Sequence, residues 1–558
     1  MGLDAVLTEH GLVTPEQLAE AHSEAAASGE RLDRVVARLG FATGEQILEA
    51  LGDQFHLSIV DLASIAPDAE ALGAVPARLA YRLHCVPIDR NDGALTVATS
   101  NPFDLSAIDE LSLVAGRPVR PVLADDDELR RFIREHYGVG GDTLDEMAGD
   151  RPNVASTESD DAAEQANEAS VVRLVNDLLG EAIDERATDI HIEPYEGLLD
   201  VRYRVDGVLR RAAVPPTIHR FSSAIVSRLK IMANLNVAER RRPQDGRITF
   251  KRRTPGRPAK AYDLRVSVIP MLFGEGVVLR VLSKDAVLLS LEDLGMSDGL
   301  RARWDTLIAR PHGILLVTGP TGSGKSTTLY ASLNRIVSEE VKAITVEDPV
   351  EYHVKGVNQI QVNHRVGLDF AAGLRSVLRH DPDVVMIGEI RDLETAITAV
   401  QASLTGHLVF STLHTNDAPS ATTRLLDMGV EPFLVASSVE GVLAQRLVRR
   451  VCASCAQAYA PDRGDLPPGF ELPADGTLTR GAGCRECRDS GFRGRVGVYE
   501  MLTLSDETRE MIMTRANARS IAARAAQDDQ LIRLQDDGFA KVRDGKTTLG
   551  EIAKAMTT

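Results

Sequence analysis

An apolar run, Gly313-Ile-Leu-Leu-Val-Thr318, passes directly into Gly319-Pro-Thr-Gly-Ser-Gly-Lys-Ser326 and then into a helix-forming stretch from Thr327 to Val337. No other feature restricts the fold as strongly. A G-x-x-x-x-G-K-[ST] loop needs a buried strand before it to hold it rigid. It also needs a helix after it, whose first N–H groups and positive end face an anion. Such strand–loop–helix units belong to parallel α/β sheets, which present their chemistry at the carboxyl ends of the strands. In this loop Gly319, Gly322 and Gly324 let the backbone N–H groups converge on phosphate oxygens, with Pro320, Thr321 and Ser323 completing the turn. Lys325 reaches the β/γ-phosphates, Ser326 ligates Mg²⁺, and Thr327 opens the helix.

Phosphoryl transfer also needs acids that hold Mg²⁺ and orient a water. Two further strand-like runs supply them, Ala343-Ile-Thr-Val-Glu-Asp348 and Val384-Val-Met-Ile-Gly-Glu389. Glu347, Asp348, Glu351 and Glu389 are therefore candidate Mg²⁺-associated or water-orienting acids, and carboxylates on separate strand ends argue against chance loop acids. A fourth run, His407-Leu-Val-Phe-Ser-Thr-Leu-His414, carries a histidine at each end; both are candidates for sensing the γ-phosphate.

The cysteines add a second chemistry. Cys85 stands alone and reads as a small buried apolar residue, whereas Cys452-Ala-Ser-Cys455 and Cys484-Arg-Glu-Cys487 form two CxxC turns. Four thiolates so paired suit a closed tetrahedral Zn²⁺ shell of structural type, since redox chemistry requires only one pair. The 558 residues suffice for about three to five domains, with 44% hydrophobic and 26% charged residues in the globular range. Bases number 63 against 81 acids, a net charge of −18, which disfavours a nonspecific grip on nucleic acid or anionic lipid. With no long apolar run and no basic n-region in Met1 to Glu9, a cytoplasmic chain is expected.

The amino-terminal stretch contains a repeat: GLVTPEQLAEA at Gly11 to Ala21 and GFATGEQILEA at Gly40 to Ala50, offset by 29 residues. Thr14 and Thr43 stand where a helix N-cap belongs. Short strand-like runs follow, Ser58 to Leu62 and Ala94 to Ala98, and then an acidic stretch poor in large apolar residues that reads as a flexible linker. The expected division is 1–58 helical repeat docking domain, 59–137 small α/β domain, 138–169 linker, 170–290 mixed α/β domain, 291–445 nucleotide-binding core, 446–500 four-cysteine module and 501–558 C-terminal helical region.

GPTGSGKS, ITVEDPVE, DPDVVMIGEIRD and GHLVFSTLHTNDA resemble the Walker A, Asp, Walker B and His boxes of the secretion superfamily ATPases, the motors of type II secretion and type IV pilus systems. ATDIHIEP, VRYRVDG, RRRPQDGR and LRVSVIPMLFGEGVVLRVL extend the resemblance over roughly Ser170 to Thr558. It implies a RecA-like P-loop core hydrolysing ATP with Mg²⁺. Lys325 and a catalytic glutamate do the chemistry, with Glu347 preferred as the water-activating group and Glu389 as the Walker B acid. It further implies arginines of the preceding domain that complete the nucleotide site, Arg204, Arg247, Arg265 and Arg280 being the matching candidates. The four-cysteine module looks like the zinc module of secretion and pilus-assembly members.

A homohexameric ring, peripherally attached to the inner membrane through a platform protein bound by the N-terminal domain, is the family implication. The repeat resembles a tandem motif that binds cyclic di-GMP in some pilus-type members, but departs from it. The second copy keeps Arg31, Leu32 and Gln54 with Asp33 in a glycine place, and the first has Gly2, Leu3, Asp4 and Ala25. Cyclic di-GMP is accordingly disfavoured as a ligand. Type II secretion is the expected function. Pilus extension is the alternative, and a nucleotide-bound scaffold with little turnover is the second.

Overall fold

The computed structural model describes residues 2–91, 93–149, 169–252, 259–283, 289–484 and 486–557. The chain divides into two compact units, Met1–Asp285 and Ala286–Thr558.

The first unit opens with helices Leu3–Glu9, Pro15–Ser28, Leu32–Arg38 and Gly44–Phe55. Both repeat copies start their second helix with a reciprocal capping box: Thr14 with Gln17 and Thr43 with Gln46 each satisfy the other's backbone N–H. The helices bury Val6, Leu7, Val35, Val36, Ile47 and Leu51 in one cluster, which also takes in Leu123. Leu123 ends a three-stranded sheet of β1 (Cys85–Asn91), β2 (Ala94–Thr99) and β3 (Val119–Leu123), in that order. Cys85 is buried in it, as expected for a small apolar residue. The run from Ser58 to Leu62 forms no full strand, only the bridge Ile59 to Leu123.

The expected linker starts differently from its composition. Gly141–Gly149 is a helix, and Val139, Leu144 and Met147 are buried in the core of the following sheet domain, so these apolar side chains outweigh the acids around them. The rest of that stretch, 150–168, lies outside the described residues. The following sheet comprises β4 (Asp189–Tyr195), β5 (Leu198–Val205), β6 (Val208–Arg211), β7 (Gln244–Arg252), β8 (Lys260–Met271) and β9 (Gly274–Ser283). Its order is β6-β5-β4-β9-β8-β7. Helices Ala169–Asp184 and Ser222–Met232 fill its core with Leu174, Val175, Leu178, Ile225 and Leu229.

The second unit is built on β10 (Gly313–Thr318), β11 (Ala343–Glu347), β12 (Val357–Gln361), β13 (Val384–Ile387), β14 (Leu408–Leu413) and β15 (Val439–Val451). These run parallel, in the order β12-β11-β13-β14-β10-β15. Their fully buried patterns suit a sheet covered on both faces. A small hairpin, β16 (Ala456–Tyr459) and β17 (Leu478–Gly481), accompanies the cysteines. Then β18 (Phe492–Thr503) and β19 (Leu531–Ile532) extend the main sheet antiparallel. The boundary expected between 445 and 446 therefore falls inside β15, because that strand and β18 pair over the full length of the core sheet.

Candidate active site and zinc centre

Thr318 ends β10, and the loop to the helix Lys325–Ile336 turns through Gly319, Gly322 and Gly324 at φ of 143°, 79° and 91°. A Cβ on Gly319 would stand 2.4 Å from the Gln445 carbonyl of β15, so the loop lies against that strand at a distance only glycine permits. The Ser323 hydroxyl is buried with no hydrogen-bond partner. Lys325 Nζ donates to the carbonyls of Gly319 (2.8 Å) and Pro320 (3.0 Å). Burial pulls the Lys325 ammonium down to about 8; Glu389 opposes the shift and Arg446 adds to it. A Gly-lined turn, a helix start, an unpartnered hydroxyl and a lysine at one point fit a nucleotide's phosphates, with Ser326 at the helix start to hold Mg²⁺.

The acids separate into two kinds. Glu347, at the end of β11, is 3% exposed. Its Oε2 accepts from the Tyr330 hydroxyl, and its Oε1 accepts from Thr345 Oγ1 (2.5 Å) and Gln359 Nε2 (3.0 Å). Gln359 in turn donates to Tyr352 O (2.9 Å) and accepts from Val354 N–H (2.9 Å). Burial, then Glu347 itself, raises the Tyr330 phenol, which keeps it a donor. Glu389, just past β13, instead borders groups that reach solvent: His414 Nε2 lies 3.3 Å away and Arg391 forms an ion pair with it. Asp348 is exposed, with His364 Nε2 at 3.5 Å, and Glu351 follows on the same turn.

The structure keeps His414 near the site and removes His407 from it. His407 precedes β14, so it sits at the amino ends of the parallel strands, roughly 20 Å from the P-loop edge for a strand of six residues. There its Nδ1 hydrogen-bonds Ala402 O at 2.9 Å, closing the end of the helix Leu393–Leu404. An extended strand of six residues places its two ends on opposite edges of the sheet, so one strand cannot bring both histidines to one phosphate.

The four arginines share one row across the six-stranded sheet. Arg247 pairs with Arg265, Arg265 with Arg280, Arg280 with Asp189, and Asp189 with Arg204. Directly opposed residues project to the same face, and like charges so placed repel. Asp189 answers two of them, with Oδ1 3.3 Å from Arg280 Nε and Oδ2 3.8 Å from Arg204 Nε.

Cys452, Cys455, Cys484 and Cys487 bring their sulfurs within 4.8 Å of one another. The separations of 3.8 Å (Cys452 to Cys484), 3.7 Å (Cys455 to Cys487) and 3.7 Å (Cys484 to Cys487) match the edges of a tetrahedron with Zn–S bonds of about 2.3 Å. The donor set fits Zn²⁺ in a closed shell.

In the amino-terminal repeat, Arg31 donates to Asp33 through Nε (3.2 Å) and Nη2 (2.8 Å), and through Nη1 to Ser100 Oγ (3.2 Å). The aspartate in the glycine place therefore neutralises the one arginine the motif retains.

The sequence pattern described as Type II/IV secretion system protein matches residues 164–554, and that of the MshEN domain matches residues 55–143. The chain belongs to the type II/IV secretion system protein family. It is 40% identical over 560 residues to the type IV pilus assembly ATPase PilB of Myxococcus xanthus, covering 99% of this chain and 98% of that one. It is 45% identical over 505 residues to the type II secretion system protein E of Pseudomonas aeruginosa, covering 88% and 98%. With the type II secretion system ATPase E of Vibrio cholerae it shares 49% identity over 432 residues, covering 77% and 83%. As a member of this secretion ATPase family, the chain has a core that hydrolyses ATP, and its P-loop, Glu347, Glu389 and His414 lie along the carboxyl edge of that core's sheet. Among the described residues no helix is long and apolar enough to cross a membrane.

Sequence reading missed Tyr330, Gln359 and Arg446. Tyr330 and Gln359 leave no local signal, since their role depends on which strands become neighbours. Arg446 had one, a Gln-Arg pair inside an otherwise apolar strand run, Val442 to Val448.

Proposed function

We propose that this chain is the cytoplasmic motor of a type II secretion system, hydrolysing Mg-ATP to drive assembly of pilin-like subunits. The observation that carries the reading is the grouping of Lys325, Glu389 and His414 at one edge of the core sheet of a secretion-family ATPase. In this reading Glu389 orients and deprotonates the attacking water. Its carboxylate is the one in electrostatic reach of Lys325, whereas both oxygens of Glu347 are committed to internal donors. Glu347 then shapes the turn carrying Asp348 and Glu351, reversing the roles expected from sequence. Ser326 and the acids Asp348, Glu351 and Glu389 are the residues offered to Mg²⁺, which would neutralise phosphate charge.

The row Arg247, Arg265, Arg280 and Arg204 suits phosphates held by a neighbouring copy, as in a closed homohexameric ring. The N-terminal domain docks on an inner-membrane platform protein, and the chain is peripheral to that membrane. No role is assigned to cyclic di-GMP, because Arg31 already holds Asp33. Pilus extension is the second reading, since a pilus-assembly relative and a type II secretion relative both align with nearly the whole chain.

The test is steady-state ATPase activity with light-scattering mass, for wild type and Lys325→Ala, with and without the cytoplasmic segment of the platform partner. Activity that rises with assembly or partner and vanishes in the variant supports a motor. Folded, ATP-binding protein inactive under every condition overturns it. Deletion of the gene separates the systems: loss of exported enzymes marks secretion, loss of surface fibres marks pilus extension.

A further inference from the structure

Among the described residues, one buried cation in the second unit forms no ion pair. Arg446, on β15, is 6% exposed. Its Nη2 donates to the Asn416 carbonyl (3.0 Å) and its Nη1 to the Gln445 carbonyl (3.3 Å), while Nε is buried with no partner. Two partly buried arginines on or against this strand are paired: Arg449 with Glu551 at 2.7 Å, and Arg509 with Glu440 at 2.8 Å. The acids whose field reaches Arg446 are Glu500 and Asp417, neither of which forms an ion pair with it. Asp417 caps a helix through Ser420 N–H (2.7 Å), and Glu500 accepts from Ala418 N–H (2.8 Å) and Leu534 N–H (3.5 Å). A buried charge whose direct partners are carbonyl dipoles, with acids acting only from a distance, is costly, and a strand interior offers many cheaper residues.

The position of the side chain supplies a reason. Thr318 pairs with Ala444 in parallel register, so Gln445 and Arg446 run alongside the first residues of the P-loop. A Cβ on Gly319 would lie 3.3 Å from Arg446 Nη1. Arg446 also acts electrostatically on Lys325, so two cations converge on one glycine-lined turn. A guanidinium with spare N–H groups at that place matches an oxyanion of multiple charge.

We infer that Arg446 is a phosphate-binding residue, a second fixed cation behind the P-loop whose counter-ion is the nucleotide's phosphate chain. The inference rests on the P-loop reading above. It assigns to β15, the strand that also leads into Cys452, a direct share in nucleotide recognition. The rival role is a strut that holds the Asn416 turn through its carbonyl.

The two roles predict opposite stabilities. The full-length chain and its Arg446→Gln, Arg446→Lys and Lys325→Ala variants are melted without nucleotide, and titrated with Mg-ADP, Mg-pyrophosphate and AMP. If Arg446 binds phosphate, Arg446→Gln melts no lower than wild type without nucleotide, because an unpaired buried charge is gone. It also binds Mg-ADP and Mg-pyrophosphate about 10- to 100-fold more weakly, by the same factor for both, with AMP unaffected. Should Arg446→Gln fail to fold, Arg446→Lys keeps the charge without the fork and is expected to fold and still weaken both ligands. A lower melting temperature with unchanged affinities in either variant overturns the inference in favour of the strut. If wild type and Lys325→Ala bind Mg-ADP alike, the P-loop reading fails and this one with it.

Discussion

The Tyr330 hydroxyl, on the helix leaving the P-loop, donates to the Glu347 carboxylate at the end of β11 and accepts the Glu351 backbone N–H at 3.2 Å. One side chain of the phosphate-binding helix thus holds both the buried acid and the turn that follows it. Removing the hydroxyl leaves a buried carboxylate one donor short, a loss of about 1.5–3 kcal/mol for a charged acceptor. Tyr330→Phe should lower the melting temperature and reduce turnover together. A variant with unchanged stability and unchanged turnover would show that this hydrogen bond carries nothing.

Glu389→Gln should behave otherwise. Its amide cannot take a proton from water, so kcat should fall by about 10²-fold or more while folding and Mg-ATP affinity persist. Glu347→Gln, by contrast, should lose stability first. The comparison is read from kcat, from nucleotide affinity and from melting curves of both variants. If Glu347→Gln is the stable, ATP-binding, inactive one, the roles return to the assignment expected from sequence. His407→Gln should leave turnover intact, since the ring lies at the far edge of the sheet.

Lys325 should make nucleotide binding consume protons. Burial brings the free ammonium down to about 8, and phosphate oxygens restore its charge. At pH 8 about half of the lysine is neutral before binding, so uptake of about half a proton accompanies Mg-ATP, rising toward one above pH 9 and vanishing near pH 6.5. Affinity should weaken as pH rises through 8. Calorimetry in buffers of different ionisation heat measures the uptake, and a pH-independent heat would refute the assignment.

Asp177, on the helix Ala169–Asp184, is pushed up to about 6, first by burial and then by Asp142; Arg252 and Arg173 oppose the shift. The native state therefore retains a proton that the unfolded chain releases from about pH 4 upward. The stability this gives is present below pH 4 and lost as pH rises through 6. Asp177→Asn should raise the melting temperature at pH 7 and have little effect at pH 4. Equal shifts at both pH values would mean the side chain acts through packing.

Zinc removal should unfold the module without erasing the P-loop. Four thiolates make a closed shell, so a Zn²⁺ bound there would supply folding energy and no open coordination position. Metal analysis should find Zn²⁺ in proportion to chain, and Cys452→Ser or Cys487→Ser should lose it along with melting temperature. Nucleotide binding by the zinc-free protein should survive where the core sheet stays folded. Full stability after metal removal would exclude a structural centre.

What the sequence determined by itself were the features written in contiguous residues. The P-loop needs strand, glycines, lysine and helix in one run, the capping threonines act within a single helical turn, and paired CxxC turns carry their own ligand spacing. The family boxes are local in the same way. Tertiary structure decided everything that depends on which strands become neighbours. His407 and His414 look equivalent along the chain, but a strand of six residues puts its ends on opposite edges of the sheet. Glu347 and Glu389 look interchangeable until Tyr330, Thr345 and Gln359 close on one of them and leave the other beside His414. The arginines, scattered between 204 and 280, become a row only through strand register. Arg446 meets the P-loop only because β15 is laid beside β10. Local propensity is set by residues a few positions apart, whereas charge, burial and proton affinity are set by whatever the fold brings within a few ångströms.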